Sequence, residues 1–297
     1  MNTDLTIILK NKLDSQLQND IDNLLRICCD FEPICVSFPF DEESCIYILG
    51  YKNNILICMI PLIYISEGLY ECSAWTHPDF RRMGFFKMLW SFALKKLPDN
   101  SSVQFINDAN SILGRFAAKK INALKIYTQH LMSLDLTTIP EYMPDHFFKV
   151  LPVSVVQTNK TVKTHKAEPL NTDEKSSHSD LTDTDNSNHY IIKSDKRERK
   201  LNLFQGTVVA EFNIINYKSK KDIYFYGFFI NKKLRGKGFG YYIFNYILNF
   251  LKKSGHRMIY LQVEDSNVPA FRIYRKSGFY VIEAVEYYEF VLRKQNH

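Results

Sequence analysis

The chain has 297 residues, 45% of them hydrophobic and 14% aromatic, with a formal net charge of +6. That is enough apolar chain for two packed domains. No run of about 18 apolar residues occurs, so a membrane-spanning helix is not expected.

Taken in chain order, Met1–Lys10 lacks a basic flank, a long apolar core and a small-residue cleavage site. No secretory signal is expected, and the location expected is cytoplasmic. Ser15–Phe31 has the spacing of an amphipathic helix. Ser44–Tyr51 and Asn54–Ile65 alternate as two strands around a tight turn at Lys52, Asn53 and Asn54. Leu69–Thr76 reads as a third strand, Phe85–Leu97 as a helix, Ser102–Asn107 as a strand, Asn110–Ile121 as a helix and Leu124–Leu136 as a strand. The six cysteines (Cys28, Cys29, Cys35, Cys45, Cys58 and Cys72) fall early in this stretch, at spacings that match no zinc pattern. They read as buried thiols of a reducing compartment, and no metal is expected.

Gln157–Asn188 is built mainly of Thr, Ser, Asp, Asn, Lys and His. It has too little apolar surface to offset the entropy of ordering, and reads as a linker or as a surface loop within one domain. The predicted division is a first domain over residues 1–150, a linker over 151–188 and a second domain over 189–297. Beyond the linker, Thr207–Tyr217 and Asp222–Ile230 are predicted strands, Tyr241–Lys253 a helix, Met258–Val263 a strand and Val268–Ser277 a helix. Phe279–Leu292 closes the chain as one or two strands. Residues 189–297 carry 20 Lys/Arg against 9 Asp/Glu, and residues 1–188 carry 18 against 23. The basic half suits a polyphosphate ligand, and charge alone would also suit nucleic acid, although no groove-reading motif appears.

The two halves repeat one order of elements, which suggests a duplicated domain. In the second half, Arg235-Gly236-Lys237-Gly238-Phe239-Gly240 lies between a strand and a helix. A glycine-rich turn at a helix N-terminus exposes unpaired amides at the positive end of the helix dipole, and so suits phosphate. The alternative is a tight turn with solvated basic residues. In the first half, Arg81-Arg82-Met83-Gly84-Phe85-Phe86 holds the same place with one glycine, and Phe86 stands where Gly240 stands.

These residues resemble the GNAT (Gcn5-related) N-acetyltransferases. That family's signature is Arg/Gln-x-x-Gly-x-Gly/Ala, and residues 235–240 fit it at every fixed position. Leu261–Phe279, with Asn267, Ala270, Tyr274 and Gly278-Phe279 in order, is similar to the family's next block. The resemblance is strong over 207–292 and weaker over 40–136. It implies an α/β fold with mixed sheets, as two GNAT-like domains in tandem, the first degenerate. It also implies acetyl-CoA as co-substrate and direct transfer to a primary amine of a small molecule or a peptide N-terminus. The rival function is a non-catalytic acyl-CoA-binding module.

Acyl transfer requires a neutral amine, a donor for the carbonyl oxygen and a proton for the departing thiolate. The resemblance places coenzyme binding on Phe228, Phe229 and Ile230, whose backbone would pair with pantetheine, and on Arg235, Gly236, Lys237, Gly238, Phe239 and Gly240. It places Tyr274 near the sulfur as general acid and coenzyme contact; core packing is the other reading. Asn267 reads as a coenzyme contact, a helix cap, or both. Where relatives that acetylate protein N-termini carry a glutamate, this chain has Gln262. Glu264, on the same strand face, and Glu211 are the candidate bases, with Tyr226 acting through a water as another. Glu283, Glu286, Tyr287 and Tyr288 border the expected acceptor site, either holding a cationic amine or forming a solvated edge. Asn110–Ile121 has no tyrosine to match Tyr274. The first half therefore reads as having lost catalysis, with Arg81 and Gly84 still able to touch a pyrophosphate.

Overall fold

The computed structural model describes residues 5–33, 36, 38–40, 43–140, 191–195, 200–205 and 207–292. The stretch 151–188, expected as a linker, lies outside the described residues. The chain divides into two compact units: Met1–Leu131 with Val263–Val268 and Val281–His297, and Met132–Gln262 with Pro269–Tyr280.

The first unit runs β1 (Thr6–Lys10), α1 (Ser15–Phe31), β2 (Cys45–Lys52), β3 (Ile55–Ser66), β4 (Leu69–Cys72), β5 (Trp75–Thr76), α2 (Phe85–Leu94), β6 (Ser102–Asp108), α3 (Ile112–Lys120) and β7 (Leu124–Asp135) as far as Leu131. Helix α1 starts where the Asp14 carboxylate accepts the Leu17 amide at 2.9 Å, which satisfies one of the first-turn donors. Its one-sided spacing buries Leu17, Ile21, Leu24 and Cys28 against Tyr47, Leu49 and Met59 of β2 and β3. The alternate residues Ile48, Ile60 and Leu62 point the other way, into a second core with Phe85, Leu89 and Ala93 of α2. Each such large apolar side chain contributes about 1.5–3 kcal/mol by leaving water. The β2–β3 turn is made by Asn53 and Asn54, with φ of 51° and 61°, the left-handed pair that a two-residue hairpin needs.

The strand order of this unit is β1-β2-β3-β4-β6, with β5 against β3 and with β4 and β6 parallel. The next strand is β13 (Tyr280–Val291), the last of the chain, antiparallel to β6 from Val285↔Asp108 to Val291↔Ser102. The Ala109 amide reaches the Ala284 carbonyl at 2.9 Å and the Leu292 amide reaches Ser101 at 2.8 Å, so both ends of the pairing are tied. The Phe290 ring meets Trp90 of α2 edge-on at 5.4 Å.

The second unit holds β8 (Ile191–Asp195), β9 (Lys200–Gln205), β10 (Thr207–Tyr217), β11 (Ser219–Ile230), α4 (Phe239–Lys253), β12 (Met258–Glu264) and α5 (Val268–Lys276), apart from the residues at 263–268 that fall with the first. Its order is β12-β11-β10-β9-β8. Strands β11 and β12 are parallel, and the other pairs are antiparallel. The tail of β7 reaches this unit, where the Leu136 amide donates to the Arg257 carbonyl at 2.8 Å. The core is a ring cluster: Phe244 of α4 touches Phe225, Phe228, Tyr274 and Phe279 at 5.0–5.8 Å. Strands β1, β8 and β9 were not anticipated from the sequence.

Candidate active site

In both units one parallel strand pair stops short and opens a gap. Strands β11 and β12 stay in register from Asp222↔Met258 to Tyr224↔Tyr260 and no further, although β11 runs on to Ile230. On the other edge of β11 the register with β10 shifts between Glu211↔Phe229 and Asn213↔Tyr226. Gly227 sits in this bulge with φ 65°, and a Cβ there would lie 2.6 Å from Asn213 Nδ2. Only glycine satisfies both the angle and the approach. Strands β4 and β6 likewise pair from Leu69↔Ser102 to Cys72↔Phe105 and then part. Between them lies a cleft of about 750 Å³, with Ser73, Ala74 and Thr76 on one wall and Ile106, Asn107 and Asp108 on the other.

At the open end of β11 the chain makes a single turn of 3-10 helix, Lys232–Leu234, and then the glycine turn. Gly236 and Gly238 are left-handed, with φ of 73° and 78°, and a Cβ at either would meet nothing within 4 Å. Gly238 is the N-cap of α4 and gives no side-chain cap. Among the described residues, no main-chain carbonyl takes the amides of Gly236, Lys237 or Gly238. Gly240 has another role: its Cβ would stand 2.8 Å from Ile273 Cδ1, so it lets α4 press on α5. Arg235 is fixed by the protein, with Nε on the Ile230 carbonyl at 2.8 Å and its guanidinium 4.2 Å above the Phe229 ring.

The first unit repeats this turn bond for bond. Pro78–Phe80 is a 3-10 turn, and Arg81 Nε reaches the Thr76 carbonyl at 3.0 Å. His77 Nδ1 accepts the Asp79 amide as Asn231 Oδ1 accepts that of Lys233. Gly84 caps α2 with φ 90°. Arg82 holds the place of Gly236 with φ 64°, a left-handed angle that a non-glycine residue adopts at a cost of about 1 kcal/mol. Arg81 is further committed to Glu32 at 3.3 Å and to the Phe31 ring at 4.8 Å.

The family model for GNAT acetyltransferases matches residues 160–279. Over that span the chain is similar to the GNAT acetyltransferases. A GCN5-related N-acetyltransferase from Sphaerobacter thermophilus is 13% identical over 97% of this chain and 96% of its own, with a TM-score of 0.59. A tandem GNAT protein from the clavulanic acid biosynthesis pathway is 10% identical over 99% and 100%, with a TM-score of 0.57. A GNAT-family acetyltransferase from Colwellia psychrerythraea is 10% identical over 96% and 99%, at 0.51. At these identities the likeness is one of fold, and the fold is a mixed α/β one with two GNAT-like domains in one chain. No curated protein matches the sequence.

The structure brings Phe228, Phe229, Ile230 and Arg235 together with the glycine turn of the second unit. Lys237 and Phe239 flank Gly238 in that turn. Glu211 pairs with Phe229 across β10 and β11, on one sheet face. Tyr274 is 7% exposed, between Phe244 at 5.0 Å and Phe279 at 5.9 Å, and burial pushes its phenol up to about 12. The phenol therefore carries its proton throughout the neutral range. The corresponding residue of α3 is Ala118, fully buried. Gln262 Oε1 accepts the Tyr224 hydroxyl at 2.8 Å.

Glu264 and Asn267 fall with the first unit. Glu264 accepts the Ser266 hydroxyl at 2.9 Å, and the Asn267 amide donates to the Glu264 carbonyl at 3.0 Å. Because β13 belongs to the first unit, so do Glu283, Glu286, Tyr287 and Tyr288. Glu286 is not a solvated edge residue. It is 7% exposed, takes Lys125 Nζ at 2.7 Å and accepts the Tyr288 hydroxyl at 2.7 Å. Burial and this carboxylate hold the Tyr288 phenol well above its ordinary range.

Proposed function

We propose that the chain transfers an acetyl group from acetyl-CoA to a primary amine by direct attack in a ternary complex. Residues 189–297 carry the transfer. Residues 1–150 are assigned no transfer step, because Ala118 stands where α5 has Tyr274. The observation that carries this reading is the left-handed glycine turn at the N-terminus of a long helix, where, among the described residues, no main-chain carbonyl takes the amides of Gly236, Lys237 or Gly238 and a Cβ at either glycine would meet nothing within 4 Å. The diphosphate of the coenzyme fits that cradle, and Lys237 adds charge beside it. The unpaired β11 edge from Phe228 to Ile230 suits pantetheine, and an amide there would face the thioester oxygen as charge develops on it. The neutral amine attacks the carbonyl, the tetrahedral intermediate collapses, and the thiolate takes the proton held by Tyr274. Glu211 is the carboxylate of the second unit proposed to take the proton of the amine.

Free thiol released from acetyl-CoA over a panel of amines, with mass spectrometry of the products, tests this. The expected result is amine-dependent thiol release and an acetylated product. A second reading, a non-catalytic acyl-CoA-binding module, draws on Gln262, which is no base and is already bonded to Tyr224. Tight coenzyme binding with no thiol release for any amine would favour that module and overturn the enzyme.

A further inference from the structure

The two units cover their sheets differently. In the first, α1 lies between β1 and β2 in the chain and closes one sheet face, while α2 closes the other. In the second, β8 and β9 are joined by residues 196–199 alone, too few for a counterpart of the 17-residue α1. Helix α4 packs on one face of this sheet through Phe244, against Phe225. The alternate residues of β11, Tyr224 and Tyr226, point to the other face. Their register partners there are Ile215 and Asn213 of β10 and Tyr260 of β12. Where the first unit buries Tyr47, Leu49 and Met59 under α1, Ile215 is 52% and Tyr226 43% exposed.

This open face carries a row of rings. Tyr226 and Tyr224 stand 6.2 Å apart, Tyr224 and Tyr217 5.9 Å, and Tyr217 and Tyr260 4.8 Å. Tyr224 is held by its hydroxyl on Gln262 Oε1. At the hairpin end of the row is Lys218-Ser219-Lys220-Lys221, all exposed. The Lys218 ammonium lies 4.8 Å from the Tyr260 ring and 5.2 Å from that of Tyr217. Among the described residues no carboxylate pairs with these three lysines. Asp222, the next carboxylate along β11, is partly buried.

Rings laid on an open sheet beside unpaired cations suit a ligand that is anionic along its backbone and flat in its side groups. An acidic peptide would satisfy the lysines and leave the ring faces unused. An apolar surface would leave the lysines without counter-charge. A single nucleic-acid strand meets both, and needs no groove-reading motif because its unstacked bases present their faces.

We propose that the open face of the second unit binds single-stranded nucleic acid. About two or three bases stack along Tyr226, Tyr224 and Tyr217, and Lys218, Lys220 and Lys221 take the phosphates. Binding is tolerant of base sequence, since every base has a flat face. The site lies on the sheet face opposite α4, needs no coenzyme and does not rest on the transfer reading.

Fluorescence anisotropy of the full chain with fluorescein-labelled oligo(U) and oligo(dT) of about ten nucleotides, against a duplex of the same length, tests it. The expected result is saturable binding of single strands and at least tenfold weaker binding of the duplex. Binding of either strand supports the site, and the tighter one tells whether the ligand is RNA or DNA. Tyr226→Ala is expected to weaken binding about tenfold, and Tyr226→Phe, which keeps the ring, to stay within about threefold. Lys218→Gln and Lys220→Gln are each expected to reduce the slope of log affinity against log salt by about 0.7, which a loss of packing alone would not do. Far-UV circular dichroism and the melting midpoint verify that each variant is folded. No binding of either strand, a duplex bound as tightly, or parent affinity and salt slope in these folded variants would overturn the site. The glycine turn also attracts phosphate, so binding is expected unchanged in saturating acetyl-CoA and in Gly238→Asp. Displacement by acetyl-CoA, or loss in Gly238→Asp, would overturn the platform and leave the transfer reading standing.

Discussion

Tyr274 unites a core position with a proposed proton donor, and its two roles separate on substitution. Phenylalanine keeps the ring packed against Phe244 and Phe279 and removes only the hydroxyl. Tyr274→Phe is expected to lower kcat about 100-fold, within the range for loss of a general acid, with coenzyme affinity changed less than about threefold. Steady-state rates together with a binding titration check this, and an unchanged kcat would remove Tyr274 from the mechanism. The pH dependence follows from burial. The folded state holds the phenol up to about 12, above its ordinary 10.0. The stability it contributes is whole below pH 10 and is lost as the pH rises from there through about 12. Melting temperatures of the parent should therefore fall relative to Tyr274→Phe across that window. In the same account kcat shows no descending limb from this group in the neutral range. The signature residues were legible because they are local: three glycines in six positions demand a special turn. What Gly240 does was not legible, since its neighbour Ile273 is more than thirty positions away.

At the scale of elements, the parting strands define the gap, and they are set by register rather than composition. The strand predicted over Leu69–Thr76 is two strands, Leu69–Cys72 and Trp75–Thr76, interrupted where the cleft opens. No periodicity marks that break, because pieces of four and two residues are too short to show one. Across the gap, α3 is held close to β6 by Gly114. A Cβ on Gly114 would fall 1.5 Å from Asn107 Oδ1, and Asn107 is buried with its amide on the Asp108 carbonyl at 2.9 Å. Gly114→Ala is expected to cost about 1–3 kcal/mol by overpacking, read as a lower denaturation midpoint followed by tryptophan fluorescence. Adding Asn107→Ala should recover part of the loss, because the two residues are in direct contact. An unchanged midpoint for Gly114→Ala would mean that Asn107 moves aside freely.

At the scale of the whole molecule, the duplication was readable as a repeated order of elements, and the turns at Arg81 and Arg235 repeat it down to single hydrogen bonds. The membership of the last strand was not readable. Phe279–Leu292 has the composition of a strand, yet nothing local says that it will pair with Ser102–Asp108, far back in the sequence. Both tryptophans of the chain, Trp75 and Trp90, are buried in the first unit, and Trp90 rests on Phe290 of β13. Removing residues 280–297 is therefore expected to red-shift and broaden the tryptophan emission, as the first unit loses a strand of its sheet. Parent-like emission and an unchanged unfolding midpoint would show that the unit stands without that strand.

The central claim concerns the amides at the start of α4, and Gly238→Asp addresses it most directly. The substitution puts a carboxylate where the diphosphate is proposed to sit and a side chain on a left-handed backbone. Acetyl-CoA titrated into parent and variant in a calorimeter is predicted to show one equivalent of binding lost in the variant, together with all amine-dependent thiol release. Binding by Gly238→Asp with the affinity and stoichiometry of the parent would contradict the account.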